Sequence, residues 1–346
     1  MGAEFNESSP GCEQSSGGSR HPVGGKVSLV IHYRHFRNSD PPGLVTIWNQ
    51  SFTGRSAVQV RNSTPLEYFL FAKPYFDPAG LIVALEDGVP VGFAHAGFGP
   101  NEAQTALDHS VGIVCMVAVR PAYRRRGIGS ELLRRCEDYL HSRGARTLYA
   151  GPMRPLNPFY FGLYGGSESP GFLASDSAAD PFLKHNGYQV ARTCLVFQRA
   201  LANPIKVADA RFAALRRCYE VYLAPRTGTV SWWQECVLGP LELLEFRLKD
   251  RATAQTVARA TVWEMDGFNY RRNEAGVGLV DIEVLPELRR QGLAKFLLTH
   301  LLLNLQEQYF TLTEAQTPEE NIPVINLYRG LGFEQVDVGY LYCKTR

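Results

Sequence analysis

The sequence predicts two consecutive α/β domains, each built on a mixed β-sheet. A chain of 346 residues is long for one domain and comfortable for two. A segment of the first half returns in the second, and in each half paired strands precede an amphipathic helix. With 45% hydrophobic and 20% charged residues, the composition is that of an ordinary globular protein. We place the two domains at residues 27–200 and 201–346.

The repeat consists of two separate motifs that return in the same order. VAVRPAYRRRGIG at Val117–Gly129 is echoed in the second half by IEVLPELRRQGLA at Ile282–Ala294. The second motif is an Asn followed two helical turns later by a Tyr, Asn157 and Tyr164 in the first half and Asn321 and Tyr328 in the second. Both motifs return at almost the same separation along the chain, which indicates a duplicated domain.

Each element of the first half follows from its local pattern. Apolar runs typical of strands are separated by turn residues such as Asp87-Gly88, and apolar residues at helical spacing before Gly144 predict a helix. The predicted elements are a strand at Val27–Tyr33, helical segments at Pro42–Phe52 and Pro65–Phe76, strands at Leu81–Leu85, Val91–Phe98, Gly112–Val119 and Thr147–Gly151, and a helix at Ile128–Ser142.

The second half repeats this order. Its predicted elements are a helix at Ala208–Tyr222, strands at Leu243–Leu248, Ala254–Glu264 and Val277–Leu285, and a helix at Leu293–Gln308. Ala202-Asn203-Pro204 breaks the pattern, so we expect the domain boundary there. Residues 1–26 are rich in Gly and Ser, and they predict a disordered tail without the apolar core of a signal peptide. We therefore expect a cytoplasmic location.

Composition also argues against several classes of function. The net charge of +2 gives no reason to expect binding to nucleic acid or to a membrane. The seven cysteines are odd in number and form no CxxC pair, which disfavours a disulfide framework or a zinc site. His32 and His35 have no third ligand nearby, so no metal is expected. Without a Gly-x-Ser-x-Gly motif or a Cys with a clear base partner, a covalent acyl-enzyme is disfavoured.

The first motif has the features of an anion-binding loop. Arg124-x-x-Gly127-x-Gly129 follows an apolar strand and opens a helix, where unpaired backbone N–H groups and the helix dipole favour a negative charge. Glycine lets a phosphate approach the backbone. The spacing matches neither a Walker A loop nor a Rossmann fingerprint. A helix start with a charged first turn would look similar, but the second copy favours a binding loop.

This strand, loop and helix resemble the coenzyme A-binding motif of the GNAT acetyltransferase superfamily. The resemblance implies that the two loops receive the pyrophosphate of acetyl-CoA and that the preceding strands hold its pantetheine and acyl carbonyl. It assigns the first site to Val117, Ala118, Val119, Arg124, Arg125, Arg126, Gly127, Ile128, Gly129 and Ser130. It assigns the second to Ile282, Glu283, Val284, Arg289, Arg290, Gln291, Gly292, Leu293, Ala294 and Lys295.

The segment Asn321–Phe333 resembles the other signature of the family, an Asn before a helix that carries Leu-Tyr and ends in Gly-Phe. The resemblance implies that Asn321 contacts the cofactor and that Tyr328 protonates the departing thiolate. A buried core tyrosine is the alternative. Asn157 and Tyr164 keep part of the motif, but an insertion follows Tyr164 and continues to about Asp180, so Tyr164 is the weaker candidate.

Direct transfer to an amine also needs a base, which this superfamily commonly places as a carboxylate on the central strands. Asp281 and Glu283 alternate with Ile282 and so lie on one strand face, and Glu314 lies on the next strand. Glu283 is the first choice and Glu314 the second, with a solvated strand face as the alternative for Glu283. The first half has Met116 and Ala118 at the aligned positions. This asymmetry favours catalysis in the second half.

These observations predict an acetyl-CoA-dependent N-acetyltransferase in which a primary amine attacks directly within a ternary complex. Two alternatives stay open: a non-catalytic acyl-CoA sensor, and a protein with one active and one degenerate domain. The acceptor is expected to be a small-molecule or peptide amine. Its identity, the acyl chain length and the oligomeric state do not follow from the sequence.

Overall fold

The computed structural model describes residues 30–55, 57–205, 209–226 and 230–345. The predicted tail at residues 1–26 lies outside the described residues, as does the start of the predicted first strand. We call residues 30–200 the N-half and residues 201–345 the C-half. Each half contributes strands and helices in the predicted order, and one mixed sheet contains strands of both.

The N-half begins with a strand and a helix, and the helix packs on two later strands of the sheet. Its elements are β1 (Ile31–His35), α1 (Pro41–Ser51), α2 (Thr64–Leu66) with a π-helical turn at Glu67–Phe71, β2 (Leu81–Glu86), β3 (Val89–Pro100), β4 (Leu107–Val119), α3 (Ile128–Ser142), β5 (Thr147–Ala150), β6 (Phe172–Leu173), α4 (Ala179–His185) and β7 (Gln189–Ala200). Helix α3 has the predicted bounds. Its buried Leu132, Cys136 and Leu140 recur at helical spacing, and this apolar stripe packs on β2, β3 and β4.

The C-half repeats the arrangement. Its elements are α5 (Phe212–Cys218), β8 (Tyr219–Pro225), α6 (Trp232–Leu238), β9 (Leu244–Asp250), β10 (Thr256–Glu264), α7 (Asp266–Arg272), β11 (Gly276–Val284), α8 (Leu293–Glu307), β12 (Leu312–Pro318), α9 (Ile322–Gly330) and β13 (Glu334–Lys344).

One predicted helix of the C-half is wrong in its second part. The prediction of a helix over Ala208–Tyr222 begins outside the described residues, and the helix ends at Cys218. Tyr219–Pro225 forms a strand instead, with Val221 opposite Leu248 of β9. Aromatic and β-branched residues favour a strand once a partner strand is available, and that pairing outweighs the local helical tendency.

The two halves exchange strands at the centre of the sheet. The strand order is β1-β2-β3-β4-β5-β13-β7-β12-β11-β10-β9-β8, with β6 paired to β13. The last strand of the C-half, β13, therefore lies between β5 and β7 of the N-half, and β7 pairs with β12 of the C-half. The predicted division after Ala200 stays a prediction. Either half alone would leave exposed strand edges where the other now pairs.

In each half the strand that leads to the candidate loop, β4 or β11, runs parallel to a neighbouring strand. In the N-half, β4 pairs with β5, with Val111 opposite Thr147. In the C-half, β11 pairs with β12, with Gly276 opposite Leu312. The two registers are equivalent, because Val111 and Gly276 stand at corresponding positions of the sequence repeat. Within the described ranges, no helix combines the length and apolar character needed to cross a lipid bilayer.

Candidate active site

The N-half loop forms an open cradle at the start of α3. Arg125 and Gly127 both have a positive φ, 64° and 79°, which turns the backbone between β4 and the helix. Glycine adopts this conformation at no steric cost. A Cβ placed on Gly127 would meet no atom within 4 Å, so the space beside the helix N-terminus is free. The cradle therefore has room for an anionic group at the helix N-terminus.

A cavity of about 690 Å³ adjoins this cradle, and we call it the N-half cavity. Its lining brings together Val117, Ala118, Val119, Arg124, Arg125, Gly127, Gly129 and Ser130, as predicted, with residues of α1, β6, α4 and the segment before α4. Three predicted residues lie elsewhere. Arg126 forms an ion pair with Glu86, Ile128 is buried in the core, and Asn157 lines a different pocket.

The C-half loop has the same backbone shape, but a side chain occupies the space beside its glycine. Arg290 and Gly292 have φ values of 67° and 88°. A Cβ on Gly292 would lie 2.9 Å from Cζ of Arg211, so this guanidinium occupies the space that is free beside Gly127. Asp209 pairs with Arg211 at 2.7 Å and with Lys295 at 3.5 Å. An anionic side chain thus already engages two cations at the second loop.

The matching arginines of the two loops make the same contact. Nε of Arg124 donates to the carbonyl of Val119 at 3.0 Å, and Nε of Arg289 donates to the carbonyl of Val284 at 3.1 Å. Each arginine thus ties its loop back to the end of the preceding strand. This shared contact explains why the arginine returns in both copies of the motif.

A second cavity, of about 340 Å³, lies beside β11 and α9, and we call it the C-half cavity. It brings the predicted Ile282, Asn321 and Tyr328 together with Asp281. The N-half contributes Met153, Arg154, Glu168, Ser169, Arg192 and Cys194 to the wall, and other residues of β11, β12 and α9 complete it. Ser169 presents a buried hydroxyl that has no partner among the described residues, as a site for a polar ligand would. Both halves therefore build this cavity.

Tyr328 lines the C-half cavity from α9. Its ring is buried against Phe197 and Phe333. Burial raises the pKa of Tyr328, and the negative charge of Glu168 raises it further. The phenol is therefore protonated at neutral pH, as a proton donor must be.

The two carboxylates predicted as bases are engaged elsewhere. Glu283 is exposed on β11 and pairs with Arg259 at 2.7 Å. Glu314 is buried on β12, where it accepts the backbone N–H of Ser167 at 2.7 Å and pairs with Arg272 at 3.1 Å. Neither residue is among those that line the C-half cavity. The catalytic roles of Glu283 and Glu314 stay predictions, although the contacts of Glu314 are those of a structural anchor.

The structural counterpart of Tyr328 in the N-half is Leu183. Gly187 and Gly332 end α4 and α9 with φ values of 86° and 79°. In both helices the residue after this glycine donates its N–H to the carbonyl five positions back, Tyr188 to Leu183 and Phe333 to Tyr328, each at 3.0 Å. Leu183 lines the N-half cavity as Tyr328 lines the other. The N-half therefore has an aliphatic side chain in the place of the phenol.

The sequence pairing of Tyr164 with Tyr328 is thus corrected. Tyr164 follows β5 in a stretch without a helix, and its buried hydroxyl accepts the N–H of Leu173 at 3.1 Å. Its ring contacts Phe52 and Phe172, and burial raises the pKa of its hydroxyl. Because of the insertion after Tyr164, the helix that corresponds to α9 is α4, further along the chain. Alignment of the sequences therefore pairs Tyr328 with Tyr164, whereas the structures pair it with Leu183. A catalytic role for Tyr164 stays a prediction.

Sequence reasoning missed Glu168, which lies in the insertion after Tyr164. Glu168 lines the C-half cavity and also a narrow pocket of about 30 Å³ beside it, which we call the junction pocket. Burial is the main cause that raises the pKa of Glu168 to about 8, Asp281 raises it as well, and Arg154 opposes the rise. The available signal was the one acid in the Gly-rich start of that insertion, Gly165–Gly171. Among the described residues, no cluster of three or more His, Cys, Asp or Glu side chains could hold a metal ion.

Comparison with known proteins agrees with this geometry. A profile of the acetyltransferase (GNAT) family matches residues 43–164 and 242–333, which together exceed half of the chain. A search of curated proteins found no match. Among solved structures, the fold is similar to a GCN5-related glucosamine N-acetyltransferase region of a fungal multi-domain β-N-acetylglucosaminidase, with a TM-score of 0.66 and 16% identity over 92% of this chain and 38% of that one. The chain thus corresponds to little more than a third of that fungal protein.

Two other similar structures have nearly the length of this chain. A GCN5-related N-acetyltransferase from Sphaerobacter thermophilus has a TM-score of 0.59 and 14% identity over 91% of this chain and 95% of its own. A tandem GNAT protein from the clavulanic acid biosynthesis pathway has a TM-score of 0.60 and 16% identity over 91% of this chain and 98% of its own. At these identities the similarity concerns the fold alone, two GNAT-like domains in tandem. With the family profile matched in both halves, the chain belongs to the acetyltransferase (GNAT) family.

Proposed function

We propose that the protein transfers an acetyl group from acetyl-CoA to a primary amine by direct attack, and that the transfer takes place in the C-half cavity. The observation that carries the proposal is the position of Tyr328, a protonated phenol that shares this cavity with β11 residues Asp281 and Ile282. A proton donor beside the strand assigned to the acyl carbonyl is the arrangement that thioester aminolysis needs.

Each step of the transfer would be assigned to particular residues of the C-half. Backbone groups of Ile282–Val284 would orient the thioester, and the loop from Arg289 to Lys295 would hold the pyrophosphate. As the carbon–nitrogen bond forms and the carbon–sulfur bond breaks, the Tyr328 hydroxyl would donate its proton to the leaving sulfur. Asn321, which lines the same cavity, would contact the cofactor.

The N-half would bind acyl-CoA without turning it over. Its open cradle at Gly127 and its larger cavity support binding. Leu183 has no proton to donate, and Met116 and Ala118 stand where the C-half has Asp281 and Glu283. One active and one degenerate site is therefore the form of the proposal that these residues favour.

The test combines a panel of primary amines, acetyl-CoA and a readout of released thiol, with the wild type and Tyr328→Phe. We expect the variant to lose about 10²-fold or more in rate, the usual contribution of a general acid. Its dissociation constant for acetyl-CoA, measured by calorimetry, should stay within about twofold, since the loops are unchanged. Thiol release that is equal in both proteins would overturn the role of Tyr328.

A non-catalytic acyl-CoA sensor is the second candidate, and the open N-half cradle is the observation that favours it. Under that reading the wild type binds acetyl-CoA, yet no amine raises thiol release above the rate of hydrolysis. The same panel therefore separates the two functions, because the binding measurement is positive in both and the rate is positive in one.

A further inference from the structure

We propose that Glu168, a residue of the N-half, is the general base of the C-half site and accepts the proton of the attacking amine. The inference rests on the proposed function and adds to it the residue that completes proton transfer. It also means that the C-half site is incomplete without the N-half. The C-half holds the backbone next to Glu168 at this cavity.

The segment around Glu168 is held by the C-half at several backbone atoms. Glu314 accepts the N–H of Ser167 at 2.7 Å, and Nε1 of Trp263 donates to the carbonyl of Ser167 at 3.0 Å. Nε2 of Gln316 donates to the carbonyl of Gly165 at 2.8 Å. These buried contacts fix the residue before Glu168, so the position of its side chain is determined by the C-half sheet.

Glycine makes this close approach possible. Gly165 and Gly166 have φ values of 98° and 94°. A Cβ on Gly166 would lie 1.9 Å from Oε1 of Glu314, closer than any contact allows. A Cβ on Gly165 would lie 2.4 Å from Cδ of Pro170 within the same loop. Glycine is therefore required at both positions, at Gly166 by the anchor and at Gly165 by the loop itself, and Glu168 follows shortly after them.

Glu168 stands where two spaces meet. It lines the C-half cavity, which holds Tyr328, and the junction pocket, which Trp233 and Val237 of α6 also line. About 30 Å³ accommodates a group the size of a water molecule or an ammonium ion. A primary amine bound in the C-half cavity beside Glu168 would share that space with the carboxylate and with Tyr328. Arg154 lines both spaces as well.

The electrostatic surroundings suit a base for an amine. Within the described ranges the carboxylate of Glu168 has neither a hydrogen bond nor an ion pair, in contrast to Glu283 and Glu314. The titratable and charged groups that share its surroundings are Arg154 after β5, Arg192 and Cys194 of β7, Asp281 of β11 and Tyr328 of α9. With a pKa of about 8, the carboxylate is a stronger base than an ordinary glutamate and close to the ideal for work near neutral pH.

The proton balance closes over one turnover. The amine nitrogen forms a bond to the acetyl carbon and loses one proton to Glu168. The carbon–sulfur bond breaks, and the sulfur takes the proton of Tyr328. Glu168 then returns its proton through solvent to the Tyr328 oxygen, which restores both groups and leaves an amide and a free thiol.

The test compares Glu168→Gln, Glu168→Asp and the exposed control Glu102→Gln. We expect Glu168→Gln to lower kcat/KM by about 10²-fold with the acetyl-CoA dissociation constant unchanged, and Glu168→Asp to recover part of the rate. In the wild type, kcat/KM should rise with pH and level off above about 8, since the base must lose its proton; Glu168→Gln should lose this rise.

A readout without turnover accompanies the kinetics. Because the folded-state pKa of Glu168 lies above the ordinary value of 4.5, the folded state binds the proton more tightly than the unfolded state between pH 4.5 and 8. Stability from this group is therefore lost as pH rises through that range, and Glu168→Gln should remove the loss. The measurement is the pH dependence of chemical denaturation, and an unchanged dependence would contradict the proposed environment.

The outcomes separate the inference from the function on which it rests. If Tyr328→Phe is impaired while Glu168→Gln matches Glu102→Gln in rate and pH profile, Glu168 is not the base although the enzyme is an acetyltransferase. If no amine is acetylated by the wild type, the proposed function itself fails. Impaired Tyr328→Phe and Glu168→Gln, with a normal control, support both.

Discussion

The N-half and the C-half share one loop geometry, but the side chains around the loop differ. Gly127 and Gly292 share the same backbone turn, but the space beside Gly127 is open, whereas Arg211 fills the space beside Gly292. The N-half cavity has about 690 Å³ and the C-half cavity about 340 Å³. Duplication has therefore kept the turn, and side chains outside the turn decide how freely an anion can reach it.

The halves also differ in the polar side chains of their cavities, and here the C-half has more of them. The C-half cavity contains Tyr328 and Asp281, whereas the N-half cavity has Leu183, and Met116 stands at the position that matches Asp281. The more open loop thus lies in the N-half, whereas the cavity that contains the tyrosine is built by both halves. The loop and the tyrosine of the repeat therefore differ between the halves independently of each other.

The largest expected effect concerns the contact that joins the halves. Glu314→Ala would leave Arg272 buried without its partner and would release Ser167, so we expect a loss of about 3–5 kcal/mol in the free energy of unfolding. Tyr149, which occupies the matching register in the N-half, provides the control Tyr149→Phe. Chemical denaturation of both variants measures the difference. Equal stability of Glu314→Ala and wild type would show that the halves do not depend on this anchor.

An intermediate effect tests the open cradle. Gly127→Val would place a branched side chain in the free space at a positive φ, and we expect the tighter of two acetyl-CoA sites to weaken by about 10- to 100-fold through lost backbone contacts. Gly292→Val carries the same strain, of about 1–2 kcal/mol, and is the matched control that should leave the tighter site intact. Calorimetry reports stoichiometry and affinity. Loss of the tighter site in Gly292→Val alone would reverse the comparison.

The smallest expected effect concerns the side chains that occupy the space at the C-half loop. Asp209 pairs with Arg211 and Lys295, two cations that a pyrophosphate would otherwise use. We expect Asp209→Asn to tighten acetyl-CoA binding at the C-half by about two- to fivefold, with less gain at high salt, since the Arg211 side chain is half-exposed and salt screens its charge. Titration in the Gly127→Val background isolates this site. Weaker binding of the variant would mean that Asp209 supports the loop rather than competing at it.

Local sequence patterns were sufficient to predict the features that depend on neighbouring residues. The spacing of Leu132, Cys136 and Leu140 predicted α3, and the arginine–glycine turns predicted loops at helix starts, because both rest on local backbone geometry. The two motifs that return at nearly one separation predicted the duplication, and the segment from Asn321 to Phe333 located Tyr328. These patterns can be recognised without knowing which distant residues pack against them.

Which residues meet depends on the folded sheet. The pairing of Leu183 with Tyr328 was hidden by an insertion, and Arg272 and Ser167, two partners of Glu314, lie 42 and 147 residues from it in the chain. The exchange of β7 and β13 and the arrival of Glu168 at the C-half cavity depend on contacts between the halves. Such contacts are set by packing and by the pairing of buried polar groups across the whole sheet, and no local pattern encodes them.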